Sequence, residues 1–146
     1  MIFTVLDEVS DYLKLNSGYV VEDELLDDLD SYSDSVNAVL IVTDATGVEY
    51  DESIAKCLKH KVSFQVFIVA FENSSDEENI ISKQTNASNA YLKVIDLLYN
   101  WQPTALNVSN FSMDTSIPAI NPENKNSVYN SQMLIGFTYD YLQELS

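Results

Sequence analysis

Two stretches of the chain carry apolar residues at the three- and four-residue spacing of an amphipathic helix. The first covers residues 2–15, and the second covers residues 81–99. The first should end at Gly18, because glycine readily adopts the left-handed conformation that terminates many helices. The second should end before Pro103, because a proline disfavours helical geometry in the residue that precedes it.

Four other stretches have the pattern of β-strands. Residues 36–43 and 62–71 are nearly continuous apolar runs rich in β-branched and aromatic side chains, which is typical of buried strands. In residues 128–141, aromatic and apolar side chains instead occupy alternate positions, which predicts a long antiparallel strand with one covered face. Residues 106–113 alternate more weakly and are predicted to form a half-buried strand.

The connecting segments are polar. The acidic segment over residues 19–35 fits either a short helix or an extended loop. We expect a turn at residues 44–47, a short helix or a loop over residues 51–60, and loops over residues 72–79 and 112–127.

The order of these elements predicts the fold class. Neighbouring strands without a helix between them favour an antiparallel or mixed β-sheet, with the two main amphipathic helices packed on one face. This is an α+β fold rather than a doubly wound one. Because the chain has 146 residues and shows neither an internal repeat nor a linker, residues 1–146 are expected to form a single domain.

Charge adds a strong constraint on partners. The chain has 7 lysines, no arginine and 23 acidic residues, giving a net charge of −16. Residues 1–52 hold one lysine and fourteen of the acidic residues, so most of the charge lies in the first third. Such a chain should repel nucleic acid and anionic lipid, and it lacks the arginine fork that suits phosphate. We therefore expect neither sequence-specific nucleic-acid binding nor membrane binding.

Cysteine content and hydropathy indicate a soluble intracellular protein. Cys57 is the only cysteine, which excludes a disulfide-stapled domain. The N-terminal residues contain no basic region and reach acidic residues at once, unlike a signal peptide. The longest apolar run is far shorter than the ~20 residues that a membrane helix needs.

The sequence offers little for catalysis. Its three glycines do not form a phosphate-binding loop, and one histidine cannot supply a multi-histidine zinc site. Cys57 and His60 could form a nucleophile pair on one helix face, although a half-buried thiol beside a surface histidine is the more ordinary interpretation. Asp28 and Asp30 begin a calcium-loop pattern that lacks the later glycine and glutamate. We expect a non-catalytic protein without metal or cofactor.

The second helix ends in a segment with a family resemblance. Leu98, Trp101 and Pro103 match a Leu-x-Gly-Trp-x-Pro-like segment, with Asn100 in place of the glycine. With the preceding helix, the two strong strands and the aromatic final strand, the chain resembles the tail-terminator, or tail-completion, family of contractile-tailed, Mu-like bacteriophages.

The resemblance implies a structural virion protein. Members of such a family assemble as a ring, commonly a hexamer, that caps the tail tube and connects it to the neck below the head. The implied partners are further copies of the chain, the tail tube protein, the neck or connector protein and, in a contractile tail, the sheath protein. The implied location is the tail or neck of the virion, and the host cytoplasm during assembly.

Two sets of residues are candidates for this function. Carboxylates in the acidic segment could line the channel and keep DNA sliding by repelling its phosphates. These are Glu22, Asp23, Glu24, Asp27, Asp28 and Asp30. Aromatic residues and a proline near strand and helix ends could form subunit interfaces. These are Trp101, Pro103, Tyr129, Tyr139 and Tyr141.

Each set has an alternative. The acidic run could simply be a solvated face, or the chain could be an acidic DNA mimic that inhibits a DNA-binding enzyme. The tyrosines could cover a sheet face, and Trp101 could be a core plug beneath the end of the second helix.

Overall fold

The computed structural model of the chain describes residues 2–23, 37–54, 56–71, 80–114 and 130–145. Within these ranges the chain forms two helices and six strands. In chain order they are α1 (Thr4–Asn16), β1 (Val20–Glu22), β2 (Ala38–Val42), β3 (Gly47–Ile54), β4 (Cys57–Phe71), α2 (Ile80–Leu98), β5 (Val108–Asp114) and β6 (Asn130–Glu144).

The strands form one mixed sheet. Its order is β1-β2-β4-β6-β5, and β3 also pairs with β4. β1 and β2 are parallel, and the other pairs are antiparallel. β4 and β6 pair over 15 residues each, from Cys57 opposite Glu144 to Phe71 opposite Asn130. The mixed sheet with two helices against it confirms the predicted α+β class.

β2 and β3 follow one another along the same side of β4. β2 pairs with residues 66–70 of β4, and β3 pairs with residues 57–63. At the break between them, the Thr46 N–H donates to the Ser63 carbonyl at 2.7 Å. The prediction of a short helix or loop over residues 51–60 is therefore wrong. Backbone pairing with β4 decides the structure there, and it outweighs the low strand propensity of the acidic residues.

The main core lies between the two helices and one face of the sheet. Side chains of alternate residues in β4 and β6 point to this face, as the two-residue period of a strand requires. Its fully buried members include Val9 of α1, Val94 of α2, Phe64 of β4 and Phe137 of β6. Both helices thus cover the same face, as the amphipathic patterns predicted.

A second, smaller cluster lies on the opposite face of β2 and β4. Val39, Ile41, Val69 and Phe71 are fully buried there. Residues 36–43 and 62–71 are nearly continuous apolar runs because the sheet is buried on both faces at this end.

Most predicted element boundaries agree with the structure within two or three residues. α1 is followed by Gly18 with a φ of 76°, which confirms the predicted left-handed terminator. The predicted second helix and four strands are confirmed as α2, β2, the second part of β4, β5 and β6.

Some predictions need correction, and others are not addressed. β1 lies in the acidic segment, where a helix or a loop was predicted. The predicted start of the loop over residues 112–127 is also wrong, because β5 continues to Asp114. Residues 24–36, 72–79 and 115–129 lie outside the described residues, and so do the predictions made for them. Among the described helices, none is long and apolar enough to cross a membrane.

Candidate assembly surface

The hairpin of β3 with residues 57–63 of β4, here called the arm, carries exposed apolar side chains. Val48 and Tyr50 of β3 are 46% and 59% exposed. In the strand register Val48 lies opposite Val62, and Tyr50 lies opposite His60. Even-numbered residues of β4 contribute to the main core, so Val48 and Tyr50 lie on the face of the sheet that the helices cover elsewhere.

Tyr50 belongs to a row of side chains that crosses four strands. His60 lies opposite both Tyr50 and Tyr141, and Tyr141 lies opposite Val108. His60, Tyr141 and Val108 are half-buried. In the adjacent row Val62 and Tyr139 are fully buried. Val48 lies at the β3 end of this adjacent row and is exposed. The helices therefore cover the middle of that row but not its end on β3, and the apolar face continues beyond their cover.

The sheet edges formed by β3 and β5 are irregular. A β-bulge interrupts β3 between Tyr50 and Glu52, and a second one interrupts β5 between Ser109 and Ser112. Asn110 lies in the second bulge with a φ of 55°, and its side-chain amide donates to Asp140 at 2.7 Å. Bulges at edges discourage pairing with another sheet. A contact formed by this end of the molecule is thus better suited to the sheet face than to its edges.

The hypothesised nucleophile pair is not formed. Cys57 and His60 lie three residues apart on β4, so their side chains point to opposite faces of the sheet. The His60 Nε2 lies 2.9 Å from the Gln143 Oε1. No group of three or more His, Cys, Asp or Glu side chains in the described part of the chain could hold a metal ion.

Two of the six candidate channel carboxylates are described. Glu22 ends β1, and Asp23 follows it. Asp23 accepts a hydrogen bond from the Ser10 hydroxyl and another from the Lys14 Nζ at 3.2 Å. The Ser10 bond lowers the pKa of Asp23 most, Lys14 adds to this effect, and partial burial opposes it. Asp23 thus ties the end of β1 to α1.

The other four candidates, Glu24, Asp27, Asp28 and Asp30, lie outside the described residues. That this segment faces a channel stays a prediction.

Trp101 packs between α1 and β5. Its ring lies 5.5 Å from the ring of Tyr12 and 5.1 Å, edge-on, from the ring of Phe111. Trp101 is half-buried against the main core, which matches the core-plug alternative. Pro103, two residues later, is also half-buried.

The tyrosine candidates differ in exposure. Tyr139 is fully buried, and its hydroxyl donates to the Ile2 carbonyl. The prediction that Tyr139 contributes to an interface is therefore wrong, because its ring is already covered within the subunit. Tyr141 is half-buried in the four-strand row, and Tyr129 lies outside the described residues.

Sequence reasoning missed three residues that matter here. Val48 and Tyr50 alternate with Glu49 and Asp51, and this two-residue period was the available signal for a strand. Glu8 had no such signal. Its carboxylate accepts hydrogen bonds from the segment after α2, 96 residues further along the chain.

No protein-family model matches the chain, and no curated protein matches it.

Proposed function

We propose that this chain is a non-catalytic structural subunit that assembles with copies of itself into a ring, as do the phage tail terminators that its sequence resembles. In that role the ring caps the tail tube, stops its growth and joins it to the neck. The mechanism is steric: one surface of each subunit binds the next subunit, and one end of the ring blocks the end of the tube.

The exposed apolar face of the arm is the observation that carries this proposal. Val48 and Tyr50 are about half exposed, whereas Val62 and Tyr139 on the same face of the sheet are fully buried. Tyrosine is enriched at protein interfaces because it provides a large contact area and a polar hydroxyl at low entropic cost. The bulged edges of β3 and β5 favour contact through this face over strand addition.

A ring also requires a second, different surface on each subunit, because a head-to-tail contact joins two unlike patches. Exposed apolar side chains outside the arm are available for it. Leu15 lies in the last turn of α1 with 84% exposure, and Leu106 precedes β5 with 86% exposure.

The functional test is capping of tail tubes. Purified chain is added to the cognate tail tube protein during tube assembly, and the tubes are measured by negative-stain electron microscopy. We expect shorter tubes that carry a ring of this chain at one end. The variant Tyr50→Ser should fail to cap them, while Tyr99→Ser, which removes a tyrosine 68% exposed directly after α2, should cap normally.

Tubes of unchanged length with bare ends would contradict the tail-terminator proposal. A chain that instead captured a DNA-binding enzyme as a monomer would support the DNA-mimic alternative.

A further inference from the structure

Three hydrogen-bond donors of adjacent residues converge on the carboxylate of Glu8. The Thr104 N–H donates to Glu8 Oε1 at 2.8 Å, and the Thr104 hydroxyl donates to the same oxygen. The Ala105 N–H donates to Glu8 Oε2 at 3.2 Å. Successive main-chain N–H groups that point to one place form a concavity that binds anions, and a hydroxyl adds a third donor.

We propose that Thr104 and Ala105 form a carboxylate-binding site, and that Glu8 fills it as a built-in ligand. Hydrogen bonds to an ionised carboxylate are stronger than those between neutral groups, so this contact can hold two distant segments together. A ligand on the same chain also has an effective concentration in the millimolar range or above. Free carboxylates therefore do not displace Glu8 in the intact protein.

The site controls the position of the segment that follows α2. Trp101 and Pro103 lie in this segment, immediately before the donors. The packing of Trp101 between Tyr12 and Phe111 thus depends on the bond that anchors Thr104 to α1. Because Trp101 is the only tryptophan of the chain, its fluorescence reports directly on the occupancy of the site.

The test is chemical rescue of Glu8→Ala in the full chain. Losing the carboxylate leaves three donors without their partner, so the Trp101 emission should shift to longer wavelength and the Tm should fall by roughly 4–8 °C. Sodium acetate should reverse both changes with a saturable dependence on concentration. Sodium chloride at the same ionic strength should not, because chloride cannot span donors that bind two carboxylate oxygens.

The control is Asp11→Ala, which removes an exposed carboxylate of the same helix. Neither this variant nor the wild type should respond to acetate. An equal response of Glu8→Ala to acetate and chloride, or no response to either, would overturn the proposal.

A second variant covers the case in which Glu8→Ala does not fold. Thr104→Val removes the hydroxyl donor, retains the side-chain shape and leaves Glu8 in place. We expect a smaller decrease in Tm and a smaller emission shift in the same direction. Unchanged Tm and emission in Thr104→Val would also contradict the proposed site.

Discussion

Individual polar residues connect α1 to parts of the chain that are distant in sequence. Glu8 binds the segment after α2, and Ser10 and Lys14 bind Asp23 at the end of β1. The Tyr139 hydroxyl bonds to the Ile2 carbonyl just before α1, and burial raises the pKa of this phenol well above its usual value. α1 is thus held by directional bonds as well as by its apolar face.

The contacts of Asp23 predict a specific acid dependence of stability. Because folding lowers the pKa of Asp23, its contribution is fully present above the unfolded pKa of about 3.9 and is lost as pH falls through the lower, folded value. Asp23→Asn should therefore flatten the decrease of unfolding free energy in acid, as measured by urea denaturation between neutral pH and pH 2.

The matched variant for this measurement is Asp11→Asn, which leaves Ser10 and Lys14 in contact with Asp23. It should retain the acid dependence of the wild type. The same dependence in Asp23→Asn and the wild type would show that the bonds to Ser10 and Lys14 do not stabilise the fold.

At the scale of elements, the aromatic packing between β4, β5 and β6 dominates the core. The ring of Phe137 stacks on Phe64 at 5.4 Å and on Phe111 at 5.5 Å, and Phe111 in turn contacts Trp101. Offset aromatic pairs of this kind stabilise a core beyond the area that they bury. This cluster joins the edge strand β5 and the segment after α2 to the centre of the sheet.

Phe137→Ala should be among the most destabilising substitutions in the chain. It removes a fully buried ring with two stacked partners, so we expect a loss of about 3–5 kcal/mol in unfolding free energy. Leu106→Ala, at a position 86% exposed, should change it by no more than about 0.5 kcal/mol. Urea denaturation monitored by circular dichroism gives both values, and a similar effect of the two substitutions would contradict the packing described.

The sequence predicted the elements that have apolar patterns. α2, β2, the second part of β4 and β6 were all predicted, because burial of one or both faces leaves a periodic or continuous hydrophobic signal. β1 was missed because its pairing with β2, rather than its own composition, makes it a strand. β3 was missed although Val48 and Tyr50 alternate with acidic residues, because the acidic residues have low strand propensity.

The candidate site was less predictable than the fold. The alternation in β6 correctly places Tyr139 and Tyr141 on the same face of the sheet. It does not indicate how far the helices cover that face. Tyr139 was therefore predicted to lie in an interface, although it is buried within the subunit. Tyr50 was missed together with its strand. Glu8 could not be found, since nothing in the local sequence relates a helical glutamate to Thr104.

At the scale of the whole molecule, the net charge opposes the self-assembly that we propose. Each chain carries a net charge of −16, so copies of it repel one another at low ionic strength. Salt at physiological concentration reduces the Debye length to about 8 Å and leaves short-range apolar contacts unaffected. A ring held by the face of the arm should therefore form at physiological salt and weaken when salt is removed.

The mass of the assembly in solution tests the central claim most directly. Light scattering coupled to size exclusion, at physiological salt and increasing protein concentration, should give six copies of the 16.4-kDa chain for the wild type and for Tyr99→Ser. Tyr50→Ser should give single copies, because it removes the largest exposed ring of the arm. A wild-type chain that stays monomeric at high concentration, or a Tyr50→Ser variant that still forms the ring, would contradict the account.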